Sequence, residues 1–283
     1  MDENRTKNDR VWLITGCSAG FGKELALAAL AAGDRVMATA RKPEQLDDLV
    51  AAGGDRIRTA PLDVTDETQV ADAVERTLAE FGRVDVVVNN AGHGSVGAVE
   101  ELDLADLRSV LDVMFFGAVA VTKAVLPHLR ARGSGTIVQL SSMGGQVSMP
   151  GFGAYCAAKF ALEGLSEALA AEVAPFGVRV LIVEPGAFRT EFGGSRMHRS
   201  RIIEAYAAST GATRAAVDGM DGSQPGDPRK AARAILTALD SPAPPLRLAL
   251  GNDAVDNIAA HHQSLHADLV AWEQLSRALD LTD

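Results

Sequence analysis

Short apolar runs alternate with longer helix-forming stretches along this chain of 283 residues. Residues 11–15 (VWLIT) form an apolar run that stops at a glycine-rich turn. Residues 23–32 have helical composition and end at Gly33. The pattern then predicts a strand over 35–40, a short helix over 44–52 and a third strand over 57–61. Residues 66–81 read as a helix closed by Gly82, and 84–89 (VDVVVN) as a strand buried on both faces. A long helix over 105–130, a strand over 136–141, a helix over 155–174 stopped by Pro175 and Gly177, and a strand over 178–184 follow. A helix over 229–239, a seventh strand over 246–250 and a helical tail over 255–279 complete the series. Such alternation predicts an α/β fold, a doubly wound parallel sheet of seven strands with helices on both faces, as one domain over 11–283.

Three stretches depart from that pattern. Residues 1–10 are polar and charged and read as a frayed tail. Residues 188–227 are richer in Gly, Ser, Arg and Met and too long for an ordinary connection, which predicts a lid over a substrate. The helices over 105–130 and 155–174 are apolar on more than one face. One side can face the sheet, and a second subunit is expected on the other, giving a homodimer or homotetramer.

Composition narrows the partners. The net charge is −10 and the isoelectric point about 5.1, so phosphate backbones and anionic lipid surfaces are repelled. Nucleic acid and membrane are therefore not expected partners. The longest unbroken apolar run, 113–121, is nine residues, against the roughly 20 a membrane helix needs. Cys17 and Cys156 form no spaced framework, which fits a reducing compartment and a cytoplasmic protein.

The turn after the first strand reads Thr15-Gly16-Cys17-Ser18-Ala19-Gly20-Phe21-Gly22. Gly16 permits a tight turn, and Gly20 and Gly22 let backbone approach a pyrophosphate at a helix N-terminus. Any strand–helix turn can use glycines, but a strand before, a helix after and a second strand ending about twenty residues on make this a dinucleotide site. An NAD site usually has an acidic residue at that second strand end, bonded to the ribose 2′-OH. Here the strand ends Ala38-Thr39-Ala40-Arg41-Lys42. With no carboxylate to repel a 2′-phosphate, Arg41 can bind it, and NADP(H) is the expected cofactor. The plainer reading of Arg41 and Lys42 is a solvated strand end.

Together these motifs resemble the short-chain dehydrogenase/reductase family over about residues 11–250, in the branch of 17β-hydroxysteroid dehydrogenases and similar carbonyl reductases. The resemblance rests on the TGxxxGxG turn, Asp63-Val64, Asn89-Asn90-Ala91-Gly92, Ser142, Tyr155-xxx-Lys159, and Pro185-Gly186 with Thr190. It implies a Rossmann fold and interconversion of an alcohol and a carbonyl compound, with hydride on the pro-S face of the nicotinamide. It implies that Ser142, Tyr155 and Lys159 are catalytic, and that Lys159 also bonds the nicotinamide ribose. Gly16, Ser18, Gly20, Phe21 and Gly22 would hold the phosphates, and Asp63 and Val64 would flank the adenine. Asn90, Ala91 and Gly92 would flank the ribose, and Pro185, Gly186 and Thr190 the nicotinamide or a phosphate.

The residues carry the chemistry on their own terms as well. Tyr155 and Lys159 are four apart on a predicted helix and share a face. An ammonium beside a phenol lowers its pKa from about 10, so Tyr155 is expected to exchange a proton with substrate near neutral pH. Ser142 can hold the substrate oxygen beside it. The family's fourth catalytic residue, an Asn in a D-V-N-x-x-G pattern, is replaced here in Asp112-Val113-Met114-Phe115-Phe116-Gly117. Met114 cannot make an amide's hydrogen bonds, which predicts reduced turnover or, at the extreme, a cofactor-binding protein with little activity. Phe188, Phe192, Met197 and Tyr206, with Met143, Val147, Met149 and Phe152, predict an apolar pocket for a small carbonyl or alcohol. His93 reads as a loop histidine, and His261, His262 and His266 as a solvated helix face, with no metal expected.

Overall fold

The computed structural model describes residues 9–194, 197–220 and 222–280. In chain order its elements are β1 (Val11–Ile14), α1 (Gly20–Ala31), β2 (Arg35–Ala40), α2 (Asp47–Gly53), β3 (Ile57–Pro61), α3 (Glu67–Phe81), β4 (Val86–Asn89) and β5 (Gly94–Val96). There follow α4 (Leu104–Leu111), α5 (Gly117–Arg132), β6 (Gly135–Leu140), α6 (Gly153–Val173) and β7 (Val178–Pro185). The last are β8 (Met197–Arg199), α7 (Ala207–Met220), α8 (Pro228–Asp240), β9 (Arg247–Leu250) and α9 (Asn252–Arg277). Each expected strand is present within two residues of its predicted ends.

Among the described residues the main sheet has seven strands in the order β3-β2-β1-β4-β6-β7-β9, all parallel. The period-two alternation of each strand divides the core between the sheet's two faces. Trp12, Ile14, Val36, Val88, Val138 and Val183 pack with Leu25, Ala29 and Ile235 of α1 and α8. Val11, Leu13, Met37, Val87, Ile137 and Ile182 pack with Val70, Val121, Val125 and Leu169 of α3, α5 and α6. Strand order reverses between β1 and β4, so a crevice opens beyond their carboxyl ends, the place where such sheets bind ligands.

Four features were not legible in the pattern. The long helix is interrupted by a π-helical segment, Asp112–Phe116, centred on Met114. Taken together, Leu104–Arg132 is long and apolar enough by length and composition to cross a membrane, which a search for unbroken runs misses. Its inner stripe, Val121, Val125 and Leu129, belongs to the sheet core, while Leu104 and Phe116 on its outer side are exposed. Residues 188–227 contain α7, and β8 pairs in parallel with β5 as a separate two-stranded sheet. The expected tail at 1–10 lies outside the described residues up to residue 8. Asp9 and Arg10 are tied down, Asp9 to Arg35 and Arg83, and Arg10 to the buried Asp34.

Candidate active site

The glycine turn after β1 is shaped by steric necessity. Gly16 has φ +71°, and a Cβ there would lie 3.1 Å from Ala91 and from Asn90 Nδ2. A Cβ on Gly22 would come within 2.5 Å of Gly16 O. Both positions therefore exclude side chains. Gly20, with φ +59°, rests against Thr190, and the Phe21 ring lies 5.2 Å from that of Phe188. The N-cap of α1 is Ala19, which gives no side-chain cap, so the helix's first N–H groups are left for a ligand. Asn90 Nδ2 donates to Thr15 O (2.8 Å) and Gly16 O (3.1 Å), and Thr15 Oγ1 accepts from the Asn90 and Ala91 N–H groups. The Asn90 side chain thus pins the turn. This cradle fits a dinucleotide pyrophosphate.

The remaining nucleotide candidates lie around it. Arg41 is exposed at the carboxyl end of β2 and forms no ion pair among the described residues. Ser18 is partly buried in the glycine turn. Asp63, beyond β3, accepts from Thr65 N (3.0 Å) and Thr65 Oγ1 (2.7 Å), and Val64 is buried against Gly117. Gly92 abuts the Met114 sulfur, to which a Cβ would come within 3.1 Å. Pro185 ends β7. At Gly186 a Cβ would overlap the Asp253 carboxylate, which accepts from Ala187 N at 2.6 Å. Asp253, at the start of α9, gave no signal in the sequence.

Ser142, Tyr155 and Lys159 converge from two elements on one cavity of about 540 Å³. Ser142 caps the turn after β6, accepting from Gly144 N at 3.0 Å, and is hydrogen-bonded to Tyr155. A Cβ on Gly144 would press on the Tyr155 ring at 3.1 Å, so glycine lets the turn close on it. Rings of Phe152 and Phe192 flank Tyr155, with centroids at 6.1 and 5.3 Å. The electrostatics differ from the sequence expectation. Lys159 Nζ donates to Leu140 O (2.6 Å) and stands 5.9 Å from the Tyr155 ring centre. Burial pushes Tyr155 up to about 12, against the pull of the Ser142 hydrogen bond, and pushes Lys159 down to about 8. Desolvation, not the neighbouring ammonium, dominates both groups.

The cavity's far wall is largely apolar. Met143, Met149, Phe152, Phe188, Phe192 and Met197 line it, as the sequence suggested, and Val217 of α7 is added. Tyr206 does not join them. Its hydroxyl donates to Glu100 (2.5 Å) on the outer surface. Val147 is also absent from the wall. Ile203 and Arg214 are fastened by buried Glu101, which accepts from Ile203 N (2.8 Å), Arg214 Nη2 (2.6 Å) and Ala98 N (2.7 Å). These bonds, led by that from Ile203, hold the Glu101 carboxyl down at about 2. His93 lies within 3.5 Å of Ser109 and is not among the cavity-lining residues. His262 does not simply face solvent, since its Nε2 bonds Gln146 Oε1 at 2.6 Å.

Residues 10–201 match the family described as short chain dehydrogenase, and the chain belongs to that family of oxidoreductases. "Oxidoreductase BOA17" of Botryotinia fuckeliana is 44% identical over 270 residues, covering 95% of this chain and 98% of that one. Human 17-beta-hydroxysteroid dehydrogenase type 1 is 38% identical over 261 residues, covering 84% and 76% of the two chains. The crystal structure of a short-chain dehydrogenase from Streptomyces avermitilis superposes with a TM-score of 0.92 at 53% identity, covering 97% of this chain and 100% of that one. An alcohol dehydrogenase from Thermococcus sibiricus, solved with 5-hydroxy-NADP, gives 0.71 at 28% identity, covering 86% and 96%.

Proposed function

We propose that this protein is an NADP(H)-dependent oxidoreductase that interconverts an apolar ketone or aldehyde and its alcohol. The observation that carries this reading is the convergence of Ser142, Tyr155 and Lys159 on one apolar cavity that also opens onto the glycine turn. Bound NADP(H) would supply or accept the hydride. Gly16, Ser18, Gly20, Phe21, Gly22, Asn90, Gly186 and Thr190 would hold it, and Arg41 would bind the 2′-phosphate. Ser142 would hold the substrate oxygen, and Tyr155 would donate its hydroxyl proton to that oxygen during reduction and take it back during oxidation. Lys159 would favour the phenolate once its ammonium turns from Leu140 O. The test is a panel of ketones and alcohols, assayed with both nicotinamide cofactors at the nicotinamide absorbance. Absence of turnover across apolar carbonyls would overturn the reading.

Met114 favours a slower version of this enzyme. It is buried, packs with Val110 and Ala158, and lines the cavity beside Lys159. The Asn that the family resemblance puts at this place would help hold a water beside the lysine, through which protons pass to solvent; a thioether is a poor acceptor and no donor for such a water. Met114→Asn is therefore expected to raise turnover several-fold with NADPH affinity unchanged. No change, or a fall, would show that the site is built around methionine.

Self-association is proposed through the outer faces of α4, α5 and α6. Leu104 (62%) on α4, Phe116 (58%) in the π segment between α4 and α5, and Phe160 (44%) on α6 are exposed in the single chain. Light scattering at micromolar concentration should give a dimer or tetramer, and Phe116→Glu should shift it toward monomer. A monodisperse wild-type monomer would rule the assembly out.

A further inference from the structure

Beyond the catalytic residues lies a partly buried ionic network that the mechanism above does not use. Glu163 lies one helical turn beyond Lys159 and two beyond Tyr155 on the same face of α6, and its side chain is 3% exposed. Its Oε1 accepts from Ser141 Oγ and its Oε2 from Arg247 Nη1. A Cβ on Gly145 would overlap the same carboxylate, so the turn after Ser142 is seated on it. Arg247 of β9 also binds Glu184 Oε1 (2.6 Å) and Glu167 Oε1 (2.8 Å). Glu184 in turn accepts from Gln146 Nε2 at 2.6 Å.

We propose that Glu163 is a positioning residue for this active site: its carboxylate fixes the Ser141–Ser142 chain end and the Gly144–Gly145 turn against α6, and its charge keeps Lys159 an ammonium. The proposal rests on the function proposed above. The partners of Glu163 are two donors, a hydroxyl and a guanidinium, the surroundings of an ionised carboxylate. Burial and the Glu184 charge raise its pKa, while Ser141 and Arg247 oppose that rise. Tyr155 and Asp253 line the same cavity as Lys159, Glu163 stands one turn beyond it on α6, and Arg247 and Glu184 reach it through Glu163. Met114, from the π segment, carries no charge. Of these, Glu163 is the one that favours the Lys159 ammonium against burial. Ser142 is held by Gly144 N of that turn, by Tyr155 and by Pro185 O of β7 (3.5 Å), and Ser141 and the turn tie this chain end to Glu163.

The two contributions separate by mutation. Glu163→Gln keeps shape and an acceptor for Ser141 but removes the charge. The alkaline fall of kcat for carbonyl reduction should then move down by about one pH unit, the low end of what an adjacent opposite charge causes. That is roughly a tenfold loss of kcat on that limb, with KM and NADPH affinity little changed. Glu163→Asp keeps the charge but is one methylene short of Ser141, so kcat should fall at every pH with the limb in place. Ser141→Ala cuts the same hydrogen bond without touching the charge and should behave like Glu163→Asp. It also keeps the proposal testable if Glu163→Gln does not fold, because an unchanged kcat in Ser141→Ala overturns it. A wild-type limb in folded Glu163→Gln, or equal loss in all three variants with no shift of the limb, also overturns it. A wild-type chain that turns over no carbonyl sinks the proposed function and this role together. An active wild type with unaffected variants sinks only the role of Glu163.

Discussion

Replacing Tyr155 with phenylalanine should abolish nearly all turnover, a loss of a hundredfold or more, while NADPH still binds. Removing a general acid typically costs that much. The substitution deletes one oxygen and leaves the ring edges toward Phe152 and Phe192 in place, so the cavity wall and the cofactor cradle keep their shape. Ser142 is the hydroxyl bonded to Tyr155, and an aliphatic hydroxyl is a far weaker acid than a phenol. Initial rates with the best ketone, beside a fluorescence titration with NADPH, measure the two effects separately. Turnover within about tenfold of wild type would move the acid role to Ser142. His93, the other candidate in the sequence, is not among the residues lining the cavity.

Where the chemistry depends on local spacing, the sequence showed it. The run VDVVVN became β4, covered by α1 and α8 side chains on one face and by α3 and α5 on the other. The i,i+4 pair Tyr155–Lys159 and the turn serine Ser142 met at one cavity because a single strand end and a single helix carry them. Partners distant in the chain were invisible. Asp253 reaches Ala187 across 66 residues, Arg247 reaches Glu163 across 84, and Arg214 reaches Glu101 across 113. A periodic pattern reports which face of an element is apolar, not which distant side chain it meets. The three-residue strands β5 and β8 are too short to carry a period at all. Spacing also misjudged the electrostatics of Tyr155. It puts Lys159 on the right face, but the Leu140 carbonyl holds the ammonium, and burial is the largest influence on how both groups titrate.

Cofactor choice should turn on Arg41. Arg41→Ala is expected to weaken NADPH binding by roughly tenfold to a hundredfold and to leave NADH nearly unchanged. A charge-assisted hydrogen bond is worth about 1.5–3 kcal/mol, which sets that range. The exposure of Arg41 places the effect toward its lower end, because solvent and salt screen the guanidinium. Three facts favour a 2′-phosphate there. The side chain stands at the carboxyl end of β2, next to the β1–α1 turn that would hold the pyrophosphate. It forms no ion pair among the described residues, so no competing contact must break. The strand end Ala38-Thr39-Ala40-Arg41-Lys42 contains no carboxylate to repel the phosphate or to bond a free 2′-hydroxyl. Lys42 remains after the substitution, so some preference for NADPH should persist, and raising the salt should erode it further. Charge reversal is the sharper test. Arg41→Asp supplies the acid an NAD site uses and should invert the preference. The readout is Kd for both cofactors, with kcat as a control, since Arg41 lies outside the catalytic cavity. Equal weakening of both cofactors in Arg41→Ala would mean that the arginine supports the strand end and that cofactor choice is made elsewhere.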